Sequence, residues 1–404
     1  KPSAEAYVSE IAFLQAEIRH ARRNLPAWAK PGKRKVPWIA MPGTGWVQPE
    51  PFGVCLILGP WNYPVQLLLS PLVACLAAGN CAILKPSEHA PATAAVLAEM
   101  VSDSFSPDAV CLVQGARETA ESLLELRFDK IFFTGSTAVG KRVMAAAANH
   151  LTPVSLELGG KSPCIVTEHA SLDVAVRRIV WGKFLNAGQT CVAPDFVCVH
   201  KSIHQTFLDK CRKELIGFYG ENPRSSPDYA RIVNDDHFAR LEKLMRGETI
   251  VVGGEMDRDE RYFAPAILTN VNWDRPVMGE EIFGPILPVL SYDKLDDVVK
   301  RLCDHDTPLA LYVFSDDRVE QETLVRDVRS GGVCINDTVT HILCHELPFG
   351  GLGSSGLGRY RGKAGFDAFS HDRSVLRRST RFDPGMRYPP YKTPLATLRT
   401  AMRF

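Results

Sequence analysis

Short runs of apolar residues, with no polar alternation, recur from residue 52 onward and set the strongest limit on the fold. Examples are "VCLIL" (54–58), "CAIL" (81–84) and "KIFF" (130–133), and helical stretches such as "APATAAVLAEMV" (90–101) separate them. A strand that is apolar on both sides is buried on both faces, and strands that alternate with helices form parallel sheets. The same alternation resumes after Lys161. The sequence therefore predicts an α/β fold with two Rossmann-like, doubly wound lobes and a cleft between them.

The segments before residue 52 have different patterns. Apolar residues near the start are spaced by four and three positions, which predicts one face of an amphipathic helix. They are Tyr7, Ile11, Leu14, Ile18, Ala21 and Leu25. The stretch 30–51 is rich in proline and glycine, so we expect an extended arm there.

Composition excludes several classes of protein. With 404 residues the chain is long enough for two large lobes, and its formal net charge of +1 argues against a nucleic-acid or membrane-surface partner. Its eleven cysteines include no C-x-x-C pair, which favours reduced thiols and a cytoplasmic location. No run of about 18 apolar residues is present, and no histidine spacing indicates a metal site.

Three polar residues are candidates for catalysis. Cys191, in "NAGQTCVAP", lies among small residues that leave its thiol accessible, whereas the other cysteines are interpreted as packing residues. Glu157 ends an apolar run in "LELGGKSP"; it is either a buried general base or the partner of a lysine. Asn62, in "GPWNYP", is either a ligand-binding amide at the end of a strand or part of an Asx turn.

The stretch "FFTGSTAVGK" (132–141) has the order strand, glycine turn and helix start. Backbone N–H groups at a helix start can bind phosphate. The stretch matches neither G-x-G-x-x-G nor the Walker pattern. A plain connection between strand and helix is therefore an equally good interpretation.

Seven motifs that follow one another along the chain favour the functional interpretations of these residues over the structural ones. The chain resembles the aldehyde dehydrogenase superfamily over essentially its whole length, and several segments resemble its class 3 branch. The motifs are "PWNYP", "LKPSE", "FTGSTAVGK", "LELGGKSP", "NAGQTC", "EEIFGPILPV" and "LPFGGLGSSGLGRYRGKAGFDAFSH".

The resemblance implies NAD(P)-dependent oxidation of aldehydes to carboxylic acids through a thiohemiacetal and a thioester. It makes Cys191 the nucleophile, Glu157 the base that activates water, and Asn62 a donor to the oxyanion. The small residues around Cys191, Gly188 among them, are expected to leave room for the substrate and the cofactor.

The resemblance also implies a cofactor site for NAD, with NADP tolerated. Its expected residues are Lys85, Glu88, Gly135, Ser136, Thr137, Ala138, Val139, Gly140, Glu281 and Phe283. Tyr63, Trp181 and Phe349 are expected to line an aromatic tunnel for medium-chain aliphatic or aromatic aldehydes, although each could equally pack in the core.

By resemblance, residues 1–30 and 52–160 form the NAD(P)-binding domain and residues 161–364 the catalytic domain. Residues 31–51 and 365–404 are expected to be bridging and oligomerisation elements of a homodimer, without a C-terminal membrane anchor. Two alternatives stay open. They are a CoA-acylating aldehyde dehydrogenase, whose members generally lack the base at the position of Glu157, and a non-catalytic structural protein with the same fold.

Overall fold

The computed structural model describes residues 1–401, and it begins with one long helical segment. An α-helix at Ser3–Ala6 continues as a π-helix at Tyr7–Ala12 and then as an α-helix at Phe13–Trp28. The predicted helix is therefore present. A π-helical turn holds more residues than an α-helical turn, so it shifts the face that the helix presents.

The predicted face of this segment is buried only in part. Ala21 is 8% exposed, and Leu14 and Leu25 pack against the apolar cluster that contains Cys55 and Ile57. Tyr7 is 56% exposed and Ile11 is 39% exposed, whereas Glu10 and Glu17 are buried. The prediction was wrong about Tyr7 and Ile11 because it assumed an unbroken α-helical period.

A six-stranded sheet forms the first lobe. Its strands are parallel except for the edge strand Gly356–Leu357, which is antiparallel to its neighbour. The order across the sheet is Gly356–Leu357, Val154–Glu157, Lys130–Thr134, Val54–Leu58, Cys81–Lys85 and Val110–Leu112. The helices of this part of the chain are Gln66–Ala77, Pro91–Ser104, Arg117–Glu125 and Thr137–Ala148.

Both faces of this sheet are covered. In the strand Val54–Leu58, Cys55 and Ile57 pack in one apolar cluster, and Leu56 and Leu58 pack in another. Successive side chains of a strand point to opposite faces, so an uninterrupted apolar run is what a doubly covered strand requires.

A seven-stranded sheet forms the second lobe, and it is parallel except at one edge. The order is Thr249–Val252, Ala266–Thr269, Ile286–Tyr292, Phe196–His200, Pro163–Val166, Ala310–Phe314 and Gly332–Ile335. Its α-helices are Leu172–Phe184, His204–Tyr219, Asp235–Leu244, Pro276–Gly279, Leu295–Cys303 and Arg318–Asp327. A two-stranded ribbon pairs Met256–Asp257 with Tyr262–Phe263, and the helix Gly362–Ala368 follows the second sheet in the chain. The predicted α/β class with Rossmann-like parallel sheets is confirmed.

A second compact unit contains Ala29–Glu50 and the chain from His371 onward. Three strands make its sheet, in the order Gly32–Arg34, Gly43–Pro51 and Ser370–Arg378. Arg373 pairs with Glu50 within the unit at 3.0 Å. The helix Leu395–Ala401 is the last described element.

Candidate active site

The bend that carries Cys191 has an unusual backbone. After the helix Leu172–Phe184, the residues Asn186, Ala187 and Gly188 adopt φ values of 52°, 51° and 75°. Left-handed backbone is costly for residues with a Cβ, so the surrounding contacts must hold this bend.

Gly188 is required at one particular contact. A Cβ at this position would lie 2.2 Å from the carbonyl oxygen of Gly284. The prediction that its small size leaves room for substrate and cofactor is therefore wrong, because its missing side chain faces neighbouring backbone. Gly188 allows the bend to pack closely against the turn at Gly284.

Gln189 also holds this bend in place, a role that no separate feature of the sequence indicates. Its amide nitrogen donates to the carbonyls of Asn186 and Arg231 at 2.9 and 3.0 Å, and its amide oxygen accepts from the N–H of Val233 at 3.0 Å. With donor and acceptor both engaged, Gln189 fixes the position of the residues just before Cys191.

Asn62 joins the first lobe to this bend. It is 5% exposed, and its side-chain amide nitrogen donates to the backbone carbonyl of Gln189 at 3.0 Å. The backbone carbonyl of Asn62 accepts from the side-chain amide of Asn186 at 3.1 Å. A side-chain amide carries two N–H hydrogens, so this arrangement leaves one for a ligand.

Glu157 ends the strand Val154–Glu157 and is 2% exposed. Among the described residues, neither of its carboxylate oxygens has a hydrogen-bond partner. Burial raises its pKa well above the ordinary value, and the Arg361 guanidinium offsets part of that rise. Of the two interpretations left open by the sequence, the structure agrees with a buried, unpaired carboxyl and not with a lysine partner.

The Cys191 thiol is in a similar electrostatic environment. Burial, together with the carboxylates of Glu281 and Glu157, raises its pKa to about 12. The resting side chain is therefore a neutral thiol, and it must lose its proton as it reacts.

Cys191 lies where two cavities meet. One is a cleft of about 840 Å³ that Asn62 and Glu157 also line, and the other is a cavity of about 610 Å³. The cleft includes all but one of the residues predicted to bind the cofactor: Lys85, Glu88, Gly135, Ser136, Thr137, Ala138, Val139, Glu281 and Phe283. The exception is Gly140, which is buried and packs so closely that a Cβ would lie 2.6 Å from Leu158.

The floor of the cleft is the start of the helix Thr137–Ala148. The Ser136 hydroxyl caps this helix by accepting from the Val139 N–H at 3.4 Å. The free N–H groups and the positive end of the helix dipole suit a phosphate group. Nearby, Lys85 and Glu88 form an ion pair at 2.9 Å.

Glu281 and Phe283 also line the cleft. The Glu281 carboxylate lies against Gly159, where a Cβ would be 2.1 Å from Oε2, and it accepts a hydrogen bond from the Gly160 backbone. Burial and the Asp195 carboxylate raise the pKa of Glu281 to about 8. The Phe283 ring meets Trp61 edge-on, with centroids 5.5 Å apart.

Tyr63, Trp181 and Phe349 all line the second cavity, so the structure brings the three predicted pocket residues together. The Tyr63 hydroxyl hydrogen-bonds to the Thr190 hydroxyl at 2.7 Å, next to Cys191. Sequence analysis did not single out Glu5 and Arg361, which also line this cavity. It also missed His237 and Arg240 in the cleft. Glu5, His237 and Arg240 lie outside the seven motifs, and helix packing brings them to the site. Arg361 lies within the last motif, but the sequence did not indicate a role for it.

Comparison with known proteins places this site in a family. The profile described as "Aldehyde dehydrogenase family" matches residues 5–375. The chain belongs to the aldehyde dehydrogenase family. It is 47% identical to aldehyde dehydrogenase family 3 member A2 of Mus musculus, over 96% of this chain and 81% of that protein. The class 3 resemblance is thereby confirmed, and the chain is an NAD(P)-dependent oxidoreductase that acts on aldehydes.

Two solved structures are similar to this dehydrogenase. The substrate-bound state of AldH from Staphylococcus aureus is 44% identical, with a TM-score of 0.96 over 99% of this chain and 88% of that one. An aldehyde dehydrogenase of Mycobacterium tuberculosis complexed with NAD+ is 26% identical, with a TM-score of 0.85 over 95% of this chain and 80% of that one.

A metal site and a membrane-spanning helix would each require a distinct feature within residues 1–401. The described side chains include no group of three or more His, Cys, Asp or Glu residues arranged to hold a metal ion. None of the helices in this range is long and apolar enough to cross a membrane.

Proposed function

We propose that the dehydrogenase oxidises medium-chain aliphatic or aromatic aldehydes with Cys191 as its covalent nucleophile. The observation that carries this proposal is the position of Cys191, which lines both the cleft and the second cavity. A residue that reacts with a substrate while a cofactor is present must be reachable from both sites.

In the first step the Cys191 sulfur attacks the aldehyde carbon. The S–H bond breaks and its proton passes to water, a C–S bond forms, and the π electrons of the carbonyl move to its oxygen. The developing oxyanion is stabilised by the free N–H of the Asn62 amide and by the backbone N–H of Cys191. A buried, preorganised donor costs little reorganisation, and Asn62 is held in place by its bond to the Gln189 carbonyl.

The cofactor would be held in the cleft, with the adenosine ribose by Lys85 and Glu88 and the phosphates by the helix start at Ser136. Glu281 and Phe283 would position its nicotinamide end. When bound, NAD(P) supplies the hydride acceptor. Gly140 supports this site by allowing close packing against Leu158.

Glu157 then activates the water that hydrolyses the thioester, which releases the acid and the free thiol. Its buried carboxyl has no competing hydrogen bond among the described residues, so it is available to a water molecule. This feature favours hydrolysis over transfer to CoA, because the CoA-acylating relatives generally lack a base at this position. A purely structural role is disfavoured because all three catalytic candidates are present.

The walls of the second cavity support the choice of substrate. Its aromatic residues include Tyr63, Trp181 and Phe349, and an aromatic lining binds apolar chains and rings through buried area. A two-carbon aldehyde would fill little of a cavity of about 610 Å³.

We also propose a homodimer in the cytoplasm, with residues 31–51 and 365–404 as bridging elements. The domain bounds 1–30 with 52–160, and 161–364, remain part of this proposal. The unpaired cysteines support a reducing compartment, since all eleven lie in the described range and none forms a disulfide.

The test compares Cys191→Ala with Cys198→Ala. The two cysteines are a matched pair, because burial raises the pKa of each thiol to about 12. Cys198 lines neither cavity, so only Cys191→Ala should abolish NAD reduction with hexanal and benzaldehyde. NAD binding should persist in both variants. Turnover by Cys191→Ala would refute the mechanism.

A further inference from the structure

A separate cavity of about 600 Å³ lies at the other end of the first sheet, and Lys130, Ser155 and Gly358 are among its lining residues. Lys130 begins the strand whose last residue, Thr134, reaches the cofactor cleft. In the next strand, Ser155 lies near the start and Glu157 at the end. Cys191, Asn62 and Glu157 do not line this cavity, although Arg361 lines both it and the second cavity at Cys191.

Lys130 is 5% exposed, and among the described residues no carboxylate pairs with its ammonium. Its neighbour in the adjacent strand is the buried Cys55, and the Phe52 ring centroid is 5.9 Å from Nζ. A buried lysine without a counter-charge is rare, because burial disfavours the charged form.

The other charged groups of this cavity do not compensate Lys130. Asp367 pairs with Lys363 at 2.6 Å, and Glu346 lies 3.4 Å from His20. Three more basic side chains also line the cavity: His345, Arg359 and Arg361. The balance of charge therefore favours the neutral amine.

The titration of Lys130 agrees with this geometry. Burial lowers its pKa to about 8, and the Cys55 thiol offsets part of the effect. At pH 7.5 about a quarter of such amines are unprotonated, against about 0.1% for a lysine of ordinary pKa near 10.4. The fraction of reactive amine is therefore about 200-fold larger.

We propose that Lys130 is a reversible attachment site for aldehydes, which bind in this cavity as an imine. The inference rests on the proposed function only in taking aldehydes as the molecules that the protein meets. The amine nitrogen attacks the carbonyl carbon, a C=N bond replaces the C=O bond, and the oxygen leaves as water with the two amine hydrogens. No oxidant or reductant is needed.

The chain supplies a matched control for accessibility. Burial also lowers the pKa of Lys183 to about 8, yet Lys183 is 1% exposed and lines none of the cavities described above. If a low pKa alone decided reactivity, both lysines would react. If the cavity is needed, only Lys130 will.

The experiment treats the full-length protein with benzaldehyde and cyanoborohydride at pH 7.5, which traps imines as stable benzylamines, and locates them by peptide mass spectrometry. Lys130 should be labelled at least about tenfold faster than Lys183 and than the exposed Lys33 and Lys213. This factor is smaller than the roughly 200-fold difference in unprotonated amine, because an amine of lower basicity such as Lys130 also reacts more slowly. Labelling of Lys130 at or below the rate of the exposed lysines would overturn the proposal, and so would equal labelling of Lys183.

Repeating the reaction with Cys191→Ala separates this proposal from the catalytic one. Lys130 should be labelled equally in that variant, although oxidation is lost. Loss of labelling in a folded Cys191→Ala protein would show that the adduct depends on the catalytic thiol and would refute an independent site. If Lys130 is labelled in a wild-type protein that oxidises no aldehyde, the proposed function is refuted but the attachment site at Lys130 is not.

Discussion

Glu88→Gln should shift the cofactor preference from NAD towards NADP. In the structure, Glu88 lines the cleft and pairs with Lys85 at 2.9 Å, with the lysine side chain 6% exposed and the glutamate side chain 36% exposed. Burial alone would raise the pKa of Glu88, but hydrogen bonds from its own backbone and from Lys85 leave it below the ordinary value. Glu88 is therefore anionic at neutral pH and should repel the 2′-phosphate of NADP.

The size of the effect follows from charge and exposure. Two unit charges about 4 Å apart interact by roughly 4 kcal/mol at an effective dielectric constant near 20. The positive charge of Lys85 cancels a share of this repulsion, and solvent screens a carboxylate that is more than one-third exposed. We expect about 1.4–2.8 kcal/mol to remain, which corresponds to a factor of about 10 to 100 in relative efficiency. The substitution also frees the Lys85 ammonium to pair with the phosphate.

The assay is the ratio of kcat/KM for NADP to that for NAD, measured at low and at physiological salt. Glu121→Gln is the control, because Glu121 lines the same cleft but pairs with Arg117 at 2.7 Å on the surface. The ratio should rise in Glu88→Gln, most strongly at low salt, and stay constant in Glu121→Gln. An unchanged ratio, or equal changes in both variants, would refute the assignment of Glu88 as the discriminating charge.

Further predictions concern the catalytic bend and its partners. Glu157→Gln should release one burst of reduced cofactor and then stall as a thioester. Because burial raises the pKa of Glu157, wild-type steady-state turnover should rise with pH, whereas the burst amplitude of the variant, set by one Cys191 thiol per site, should not. Asn62→Ala should slow the burst itself by roughly 10²–10³, and a near-normal burst would exclude an oxyanion role. Gly188→Ala should lower the free energy of unfolding by about 1–2 kcal/mol from backbone strain alone, and more from the collision with Gly284; an unchanged Tm would contradict the contact.

The parallel sheets could be predicted because their signal is local. The run "VCLIL" at 54–58 coincides with the strand Val54–Leu58, and "KIFF" lies within Lys130–Thr134. Residues on both faces of such a strand must be apolar whatever the details of the helices that cover it. Ligands bind at the carboxyl ends of parallel strands, which made a ligand-binding amide one interpretation of Asn62, whereas the resemblance to the family assigned Glu157 to the site.

The burial of two glutamates in the N-terminal helical segment could not be predicted because tertiary contacts determine it. Glu10 is buried since its carboxylate accepts from the Val65 N–H at 2.8 Å, and Glu17 is buried since it pairs with Arg361 at 3.1 Å. A carboxylate counts as a surface residue in any periodic pattern until its partner is known. Val65 and Arg361 both lie more than 50 positions from these glutamates, whereas Lys1, which pairs with Glu10 at 3.1 Å, is nine positions away.

At the catalytic bend, too, contacts with distant residues could not be predicted from the sequence. The resemblance of the "GQTC" motif identified the nucleophile. It did not reveal why the motif contains Gly188, because the residue that Gly188 contacts is Gly284, 96 positions later in the chain. Small residues beside a nucleophile can serve the ligand or the backbone, and the sequence alone does not distinguish these uses. At Gly188 the contact with the backbone of Gly284 is the reason for the glycine, since this contact holds the bend that lets Cys191 face both cavities. Substitutions at this glycine should therefore affect folding as well as activity.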